Sequence, residues 1–450
     1  MSRIAVWGMR IRWWLALCAI GILSPCVRAQ STAVSFGEGV APILQEHCVA
    51  CHCAKRTEGG YRLDTVDGML LPGDGGLAPV VSGKSAESEI VQRMRSHDPD
   101  VRMPAESDPL PAELIDRIAA WIDAGAGLDG ISRKDPLWSV MPPMQYPAPP
   151  EHYAQSVPVT AIAFNADGTQ IVSSGYHEAL VWNASTGALV QRWPNQSERI
   201  HSIVAAPELG AWFLAGGTPG AIGEVRWLDA ASGSVLHVIA RSNDVALDAA
   251  LRPGKKELAV ALADNTIRLV DLERREQRKL IASHADWVTQ LAYSEDGKRL
   301  GASSRDKSAK IYDAESGDLL ASYPGHQSAV RGIAAIGDGS QWMTVGGNQQ
   351  WHRWEVEGAK KTAEIGLGSE SAKLTQIGTS LFIPGSDGGW RLLDVTKNAI
   401  ALQPKGHTDW VSAMAVHAAT GRVATGSLNG EIRVWNLADG ALLQSWMAKP

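Results

Sequence analysis

One feature of this 450-residue chain constrains its fold more than any other, and that is a repeat over residues 158–450. Seven short apolar runs, each typical of a β-strand, recur at similar intervals. They are ALVWN (Trp182), VRWLD (Trp227), IRLVD (Val270), AKIYD (Tyr312), WHRWEV (Trp354), WRLLDV (Leu393) and EIRVWN (Trp435). The named positions lie 39–45 residues apart. A period of this length indicates an array of similar small β-sheets rather than one two-layer core.

The inside of each unit follows a regular pattern. The segment Asp286–Tyr323 has three β-rich runs, two polar turns (DGK and DKS) and a closing strand, and Asp409–Trp446 superimposes on it. This pattern resembles the WD repeat, and the resemblance implies an all-β, seven-bladed propeller over residues 158–450. The last unit is followed by its own fourth strand, Ala441 to Trp446. We therefore expect the ring to close without a strand from the N-terminal side.

The resemblance also assigns structural roles to polar residues. In WD-repeat blades a His, a Ser, an Asp and a Trp form a hydrogen-bonded set that stabilises the blade. The matching positions in two blades are His284, Ser304, Asp306 and Tyr312, and His407, Ser427, Asn429 and Trp435. Tyr replaces Trp in the first set, and Asn replaces Asp in the second. Such sets account for the 17 tryptophans beside only four phenylalanines.

The second informative feature is the sequence CVACH, from Cys48 to His52. Two cysteines separated by two residues and followed by histidine are the attachment signature of a c-type haem. One helical turn at this spacing presents both thiols to the porphyrin vinyl groups and the imidazole to the iron. We expect one covalent haem c, with thioethers at Cys48 and Cys51 and with His52 as an axial ligand.

Two other readings of CVACH are a zinc site and a redox-active cysteine pair. Zinc needs four ligands in a tetrahedron, and Cys48, Cys51, His52 and Cys53 are too crowded to form one without a distant histidine. A thioredoxin-like pair would require a βαβ context, which the surrounding sequence lacks.

Helical patterns surround this motif. The spacing of Phe36, Val40 and Ile43 predicts a helix that leads into CVACH, and further helices are predicted at Ser85–Arg95 and Pro111–Ala124. The intervening sequence is rich in loops. Residues 36–126 resemble the planctomycete-type cytochrome c family through the F…V.PIL…C..CH opening, the GG.RLD, PGD.G and GK..ES segments, an MP dipeptide and a closing L…I..WI.AGA helix. The resemblance implies a small all-α cytochrome c domain, placed at residues 30–126. Cys53, directly after the motif, departs from the family pattern.

An electron carrier needs a sixth iron ligand. Met103 in VRMP is the best candidate, since it lies in a loop before the last helix, where similar cytochromes place their methionine. A Met/His pair raises the reduction potential relative to two histidines. The rivals are His97, Met94 and Met69, of which Met94 falls on an apolar helical face typical of core.

Residues 1–29 are predicted to be a secretory signal peptide. Arg3, Arg10 and Arg12 precede an apolar run at Trp13–Leu23, and cleavage is expected before Gln30. The alternative is an uncleaved anchor. We therefore expect an exported protein, periplasmic or associated with the cell surface, without an integral membrane span after cleavage. A proline-rich linker, residues 127–157, joins the two folded parts.

The remaining composition limits the partners. The formal net charge is -6, which argues against a nucleic-acid partner and offers no basic face for anionic lipid. No motif for nucleophilic catalysis or phosphate binding is found. The sequence therefore favours an electron-transfer protein, with redox partner proteins and with a protein or peptide bound to the propeller, over an enzyme with its own substrate. The alternatives are a haem-propeller oxidoreductase with a second cofactor in the propeller, and a redox- or gas-sensing scaffold.

Overall fold

The structure is a computed structural model that describes residues 34–53 and 56–450. The predicted signal peptide, residues 1–29, lies outside the described residues. Within the part of the chain that is described, no helix combines the length and the apolar character needed to cross a membrane.

Between residues 34 and 157, the described part of the chain contains four short helices: α1 (Ala41–His47), α2 (Val66–Leu70), α3 (Glu89–Arg95) and α4 (Ala112–Asp123). A π-helical turn (Phe36–Val40) precedes α1, and 3₁₀ turns occur at Glu58–Gly60, Ser85–Glu87 and Leu137–Val140. Helices are thus present in all three predicted segments.

Two details of these helices differ from the prediction. The helix α3 begins at Glu89 rather than at Ser85, because Ser88 has an extended backbone and interrupts the segment. The helix α2 was expected to be loop, and it forms because the Thr65 hydroxyl caps its first turn by accepting the Gly68 N–H at 3.1 Å.

The helices enclose a small apolar core. Phe36 and Trp121 pack with their ring centroids 5.2 Å apart, and α1 and α4 contribute seven of the 15 other buried apolar residues of this core. Leu137, from the predicted linker, is fully buried in the same core. The first half of the linker therefore packs with the helices.

Residues 158–450 form seven four-stranded antiparallel sheets, which confirms the seven-bladed propeller. The strands of the first four blades are β1–β4 (Ile162–Phe164, Gln170–Ser174, Ala179–Asn183, Leu189–Trp193), β5–β8 (Arg199–Ala206, Ala211–Thr218, Ile222–Asp229, Val235–Ser242), β9–β12 (Ala246–Leu251, Glu257–Leu262, Ile267–Asp271, Glu276–Ile281) and β13–β16 (Val288–Tyr293, Arg299–Ser304, Ala309–Asp313, Leu319–Tyr323). The remaining blades are β17–β20 (Val330–Ile336, Gln341–Gly346, Gln350–Glu355, Lys360–Gly366), β21–β24 (Thr375–Ile377, Ser380–Pro384, Trp390–Asp394, Ala399–Leu402) and β25–β28 (Val411–His417, Arg422–Ser427, Glu431–Asn436, Leu442–Met447).

Each blade is built from four consecutive strands, so no strand is borrowed to close the ring. The seven residues that define the repeat all lie on third strands. At the closure, the Val159 N–H donates to the Ser427 carbonyl at 3.1 Å, and the Ser412 hydroxyl donates to the Val159 carbonyl at 2.6 Å. Side-chain and backbone contacts between the first and last blades therefore join the ends of the ring, as expected.

The second half of the linker is bound to blade 2 by three buried charged residues, Glu224, Arg226 and Arg241, which we call the arginine clamp. Arg226 donates to the Met144 carbonyl at 2.6 Å, and Arg241 donates to the Pro142 carbonyl at 2.9 Å. Each of the three side chains is at most 1% exposed. The linker is therefore fixed to the propeller by charge-assisted hydrogen bonds.

The helical part also contacts the propeller directly. Gln45 of α1 donates to Asn243, in the loop between blades 2 and 3, at 2.7 Å. Trp138 is 6% exposed, and its carbonyl accepts from Arg241 at 3.4 Å. These contacts place the helices on the propeller face that is formed by the inter-blade loops and by the loops between second and third strands. We call this the inter-blade face.

Candidate functional site

The CVACH sequence forms a single turn at the end of α1. Cys48 caps the helix, and its N–H donates to the Leu44 carbonyl at 3.0 Å. The Cys48 carbonyl then accepts the N–H groups of Cys51 at 3.2 Å and of His52 at 3.1 Å. The two thiols and the imidazole thus belong to one compact turn, as the spacing predicts.

The imidazole of His52 is oriented by a backbone carbonyl. Its Nδ1 lies 3.2 Å from the Tyr61 oxygen, so Nδ1 carries the proton and donates. This leaves Nε2 unprotonated and able to bind a metal. Metal-binding histidines commonly donate the other ring N–H in this way, which fixes the tautomer and raises ligand basicity. Tyr61 is held in turn, because its hydroxyl donates to the Met69 carbonyl at 2.8 Å.

The motif opens into an apolar cleft, which we call the CxxCH cleft. It contains about 910 Å³ of space between its atoms, including the open mouth. Its lining includes Cys48, His52, Tyr61, Leu63, Met94 and Met103. Gly73 also lines it and packs closely, since a Cβ atom there would lie 2.5 Å from the Gly59 oxygen.

The structure separates Met103 from its rivals as a sixth ligand. Met103 is half-buried and lines the same cleft as His52. Met69 is fully buried in the helical core, and His97 is exposed; neither lines the cleft. Met94 lines it but is 4% exposed and belongs to the core. Met103 is therefore the thioether that is free to meet a group bound in the cleft, and its ligand role stays a prediction.

Cys48, Cys51 and Cys53 form no disulfide with one another in the described part of the chain. Burial, and secondarily the neighbouring Cys51, raises the pKa of the Cys48 thiol to about 12. Cys53 turns away from the helix, and its N–H donates to the Arg56 carbonyl at 2.8 Å. Among residues 34–53 and 56–450, no three His, Cys, Asp or Glu side chains converge in a way that could hold a metal ion. The zinc alternative therefore finds no ligand set there.

The predicted polar set of the last blade is present with two changes of residue. The hydroxyl that joins His407 to Trp435 belongs to Thr425, which lies 2.7 Å from His407 Nε2 and accepts from Trp435 Nε1 at 2.8 Å. Ser427, the predicted residue, bonds to Asn429 instead. Both hydroxyls point to the same sheet face, but they are two residues apart along the strand, so only one reaches the imidazole.

The acidic partner also differs. His407 Nδ1 lies 3.0 Å from Glu431, whereas the predicted Asn429 donates to the Thr408 hydroxyl at 2.8 Å. Burial lowers the pKa of His407 to about 4, so the ring is neutral. Asn429 therefore stabilises the turn, and Glu431 orients the imidazole. Glu431 follows Asn429 by two residues, and this short spacing was the signal in the sequence that Glu431 could be the partner of His407 instead.

The set in the fourth blade is incomplete. His284 Nδ1 lies 2.8 Å from Asp306, as predicted, and although burial opposes it, hydrogen bonds from His284 and Ser308 hold the pKa of Asp306 below its usual range. Ser304 bonds to the Asp286 carbonyl rather than to His284. The Tyr312 hydroxyl bonds to Ser283 at 2.6 Å. The strand position that corresponds to Thr425 is alanine here, so His284 Nε2 is buried without a partner.

Polar side chains also cross the middle of the ring. Lys373, in the loop before the sixth blade, donates to Asp248 at 2.8 Å and to the His201 carbonyl at 2.9 Å. Gln290 of the fourth blade donates to the Leu374 carbonyl at 2.7 Å and accepts the Ile333 N–H at 3.1 Å. The Gln290–Ile333 bond joins adjacent blades, and the other bonds link blades that are not neighbours. Sequence analysis missed them because they depend on which loops meet at the centre.

The fold and the site together define a class: a seven-bladed β-propeller protein with an N-terminal helical part whose CxxCH turn opens into an apolar cleft.

Comparison with known families yields the same two parts. Residues 48–107 match the family model Planctomycete cytochrome C, and residues 275–313 and 400–436 match the WD domain, G-beta repeat. Both resemblances are confirmed.

Several curated proteins are similar to part of this chain. Actin-interacting protein 1 from Drosophila melanogaster is 24% identical over 184 residues, which are 39% of this chain and 30% of that protein. Telomerase protein component 1 from Rattus norvegicus is 28% identical over 198 residues, 41% of this chain and 8% of that protein. Target of rapamycin complex subunit wat1 from Schizosaccharomyces pombe is 24% identical over 229 residues, 48% and 72% of the two chains. The chain thus spans less than a third of the length of the first two relatives.

Proposed function

We propose that this chain is an exported c-type cytochrome that holds one covalent haem c and transfers single electrons, with its propeller as a protein-interaction platform. The observation that supports this most strongly is the CxxCH cleft. One turn presents Cys48, Cys51 and His52, the Tyr61 carbonyl holds the imidazole with Nε2 free, and Met103 lines the same cavity.

The residues present fit a haem. Cys48 and Cys51 would hold it through thioethers, and His52 and Met103 would bind its iron. A bound haem would supply reversible one-electron chemistry. The chain's own residues do the rest: the Tyr61 carbonyl fixes the imidazole tautomer, and the mostly apolar lining makes the surroundings of the site less polar than water. A thioether ligand favours a higher potential than a second histidine would.

The site favours electron transfer over the two alternatives. A gas-sensing scaffold would need iron that lacks a second protein ligand, whereas Met103 offers a thioether in the same cleft as His52. An oxidoreductase with a second cofactor in the propeller would need room at the ring centre, where Lys373 and Gln290 bind residues of non-adjacent blades. Neither alternative has an observation of its own in its favour.

The interaction role of the propeller is supported by its relatives. Actin-interacting protein 1 and the target of rapamycin complex subunit wat1 have names that place them in protein assemblies. Loops on a rigid β-scaffold are suited to binding because they vary while the sheets stay fixed. Export is supported by the N-terminal sequence pattern and by the maturation of c-type cytochromes outside the cytoplasm.

The test is expression of the full chain with cytochrome maturation machinery. We expect one haem per chain by mass, no other chromophore, and colour that survives acid–acetone extraction. Complete loss of the colour on extraction would refute covalent attachment. A second chromophore would favour the oxidoreductase.

The ligand is tested by Met103→Ala. We expect loss of the near-infrared methionine–iron band and a lower reduction potential. Met94→Leu, which keeps an apolar side chain at a second lining position, should leave both unchanged. An unchanged Met103→Ala spectrum would assign the sixth ligand to another residue.

A further inference from the structure

Three exposed apolar side chains lie close in sequence to residues that line the CxxCH cleft. Leu71 is 55% exposed, Leu77 is 57% exposed and Val101 is 41% exposed. Each is a close chain neighbour of a lining residue: Leu71 precedes Gly73, Leu77 lies between Gly75 and Pro79, and Val101 precedes Met103. Exposed apolar side chains grouped around a cavity and bordered by charge are typical of an interaction site.

Around the mouth of this cleft, acidic residues outnumber basic residues when the residues that form ion pairs are left out of the count. In residues 56–108, every basic residue except Arg102 has an acidic partner within 4 Å, for example Arg93 with Glu89 at 2.8 Å and Arg95 with Asp116 at 2.6 Å. Five acids have no ion pair in this described segment: Asp74, Asp98, Asp100, Glu106 and Asp108. Glu106 is also near enough to Arg56 to affect its pKa. Five unpaired acids against one arginine leave a negative border.

The propeller does not cover this border. The propeller contacts the helical part at Gln45 of α1 and around Trp138, and Arg268 of the third blade lies near Asp64 and Cys53. The exposed fractions of Leu71, Leu77 and Val101 are those in the presence of the propeller. The occupant of the cleft mouth is therefore another molecule and not this chain's own propeller.

We infer that the cleft mouth is the docking face for a one-electron redox protein whose contact surface has an apolar centre and a basic border. This inference rests on the proposed function. On contact, the reduced protein loses one electron and the partner gains one, with no bond formed or broken and no proton transferred. The acidic border attracts a cationic partner and repels an anionic one, and this selects partners mainly through the association rate.

The test uses two small one-electron oxidants as probes, the cationic tris(phenanthroline)cobalt(III) and the anionic ferricyanide. The variant replaces Asp100, Glu106 and Asp108 by lysine. These side chains make no hydrogen bond or ion pair in the described structure, so the exchange should preserve the fold. Asp98 is left unchanged because it accepts the Asp100 N–H at 3.0 Å.

We expect the variant to react about tenfold more slowly with the cobalt complex at low ionic strength, and faster with ferricyanide. Both differences should shrink as salt is added. The matched control replaces three exposed acids by lysine on the propeller face that lies opposite the inter-blade face: Glu208, Glu295 and Glu357. It changes the net charge equally and should leave both rates close to those of the wild type.

A second variant, Leu77→Ser, tests the apolar border. It should slow the reaction with the cobalt complex, whose ligands are aromatic, more than the reaction with ferricyanide. Equal effects of the docking variant and its control would refute the docking face, since net charge alone would then set the rates. If the protein holds haem and is reversibly reduced but shows no charge preference, only this inference fails. If no haem is attached, the proposed function fails first.

Discussion

Replacing Glu224 by glutamine should release the linker from the propeller. Glu224 accepts from Arg226 Nε at 2.8 Å and from Arg241 Nε at 2.7 Å, and no side chain of the arginine clamp is more than 1% exposed. The amide keeps the size of the side chain but removes its charge, so two buried guanidinium groups lose the anion with which both of them pair.

The structure sets the size of this effect. Breaking a buried ion pair by removing one partner costs about 3–5 kcal/mol. The carbonyls of Met144 and Pro142 still accept from the two arginines, so we expect the lower end, about 3 kcal/mol. Because about 1.4 kcal/mol corresponds to a tenfold change in an equilibrium constant, the open state of the linker should become roughly 100-fold more populated.

Native-state hydrogen exchange of peptides covering residues 138–146 measures this opening. Tyr146 is a useful reporter, since its N–H donates to Asn195 at 2.8 Å in the closed linker. The matched control is Glu431→Gln, which breaks the equivalent pair with Arg433 in the last blade, at 2.8 Å, but touches no linker residue. Linker exchange within twofold of the wild type in Glu224→Gln, or equal in both variants, would refute the reasoning.

Three further predictions concern the propeller. The imidazoles of His326 and His352 stack 4.0 Å apart and are buried, and burial lowers the pKa of each from 6.5 to about 4. As the pH falls, the histidines of the unfolded chain bind protons before those of the folded chain, so the free energy of unfolding should be highest above pH 6.5 and decrease as the pH drops toward 4. In His352→Phe, roughly 2 kcal/mol of this decrease should be absent from thermal unfolding measured across this pH range. An unchanged pH profile would contradict the prediction. Thr425→Val should cost about 1–3 kcal/mol in urea unfolding, because the buried groups His407 Nε2 and Trp435 Nε1 both lose the hydroxyl as a partner. Ser427→Ala should cost less, and the reverse order would restore Ser427 to the polar set. Lys373→Met should destabilise the ring by about 3 kcal/mol, since it leaves a buried carboxylate unpaired, and a change below 1 kcal/mol would mean that water replaces the ammonium group.

The sequence was sufficient for features encoded by short-range pattern. The seven blades follow from a strand period that each unit repeats, and the CxxCH turn follows from the geometry of one helical turn. The three main helical segments follow from apolar spacing that tertiary contacts only reinforce. The helix α2 was missed because its five residues are too few to show a period.

Tertiary structure decided the features that depend on distant parts of the chain. Thr425 and Ser427 are equally plausible hydroxyls in sequence, and only the position of the His407 ring selects between them. The acceptors of the arginine clamp are linker carbonyls about 80 to 100 residues away, and backbone carbonyls leave no trace in the amino-acid pattern.

The cleft combines both levels. Its chemistry, two thiols and an imidazole on one turn, is local and was determined by the sequence alone. Its geometry is not local: the Tyr61 carbonyl that orients His52 and the placement of Met103 rather than His97 in the same cleft require the loops between α1 and α4 to fold back on that turn. A hydrogen bond to a carbonyl and the exposure of a side chain are properties of neighbours in space, and only the folded chain brings those neighbours together.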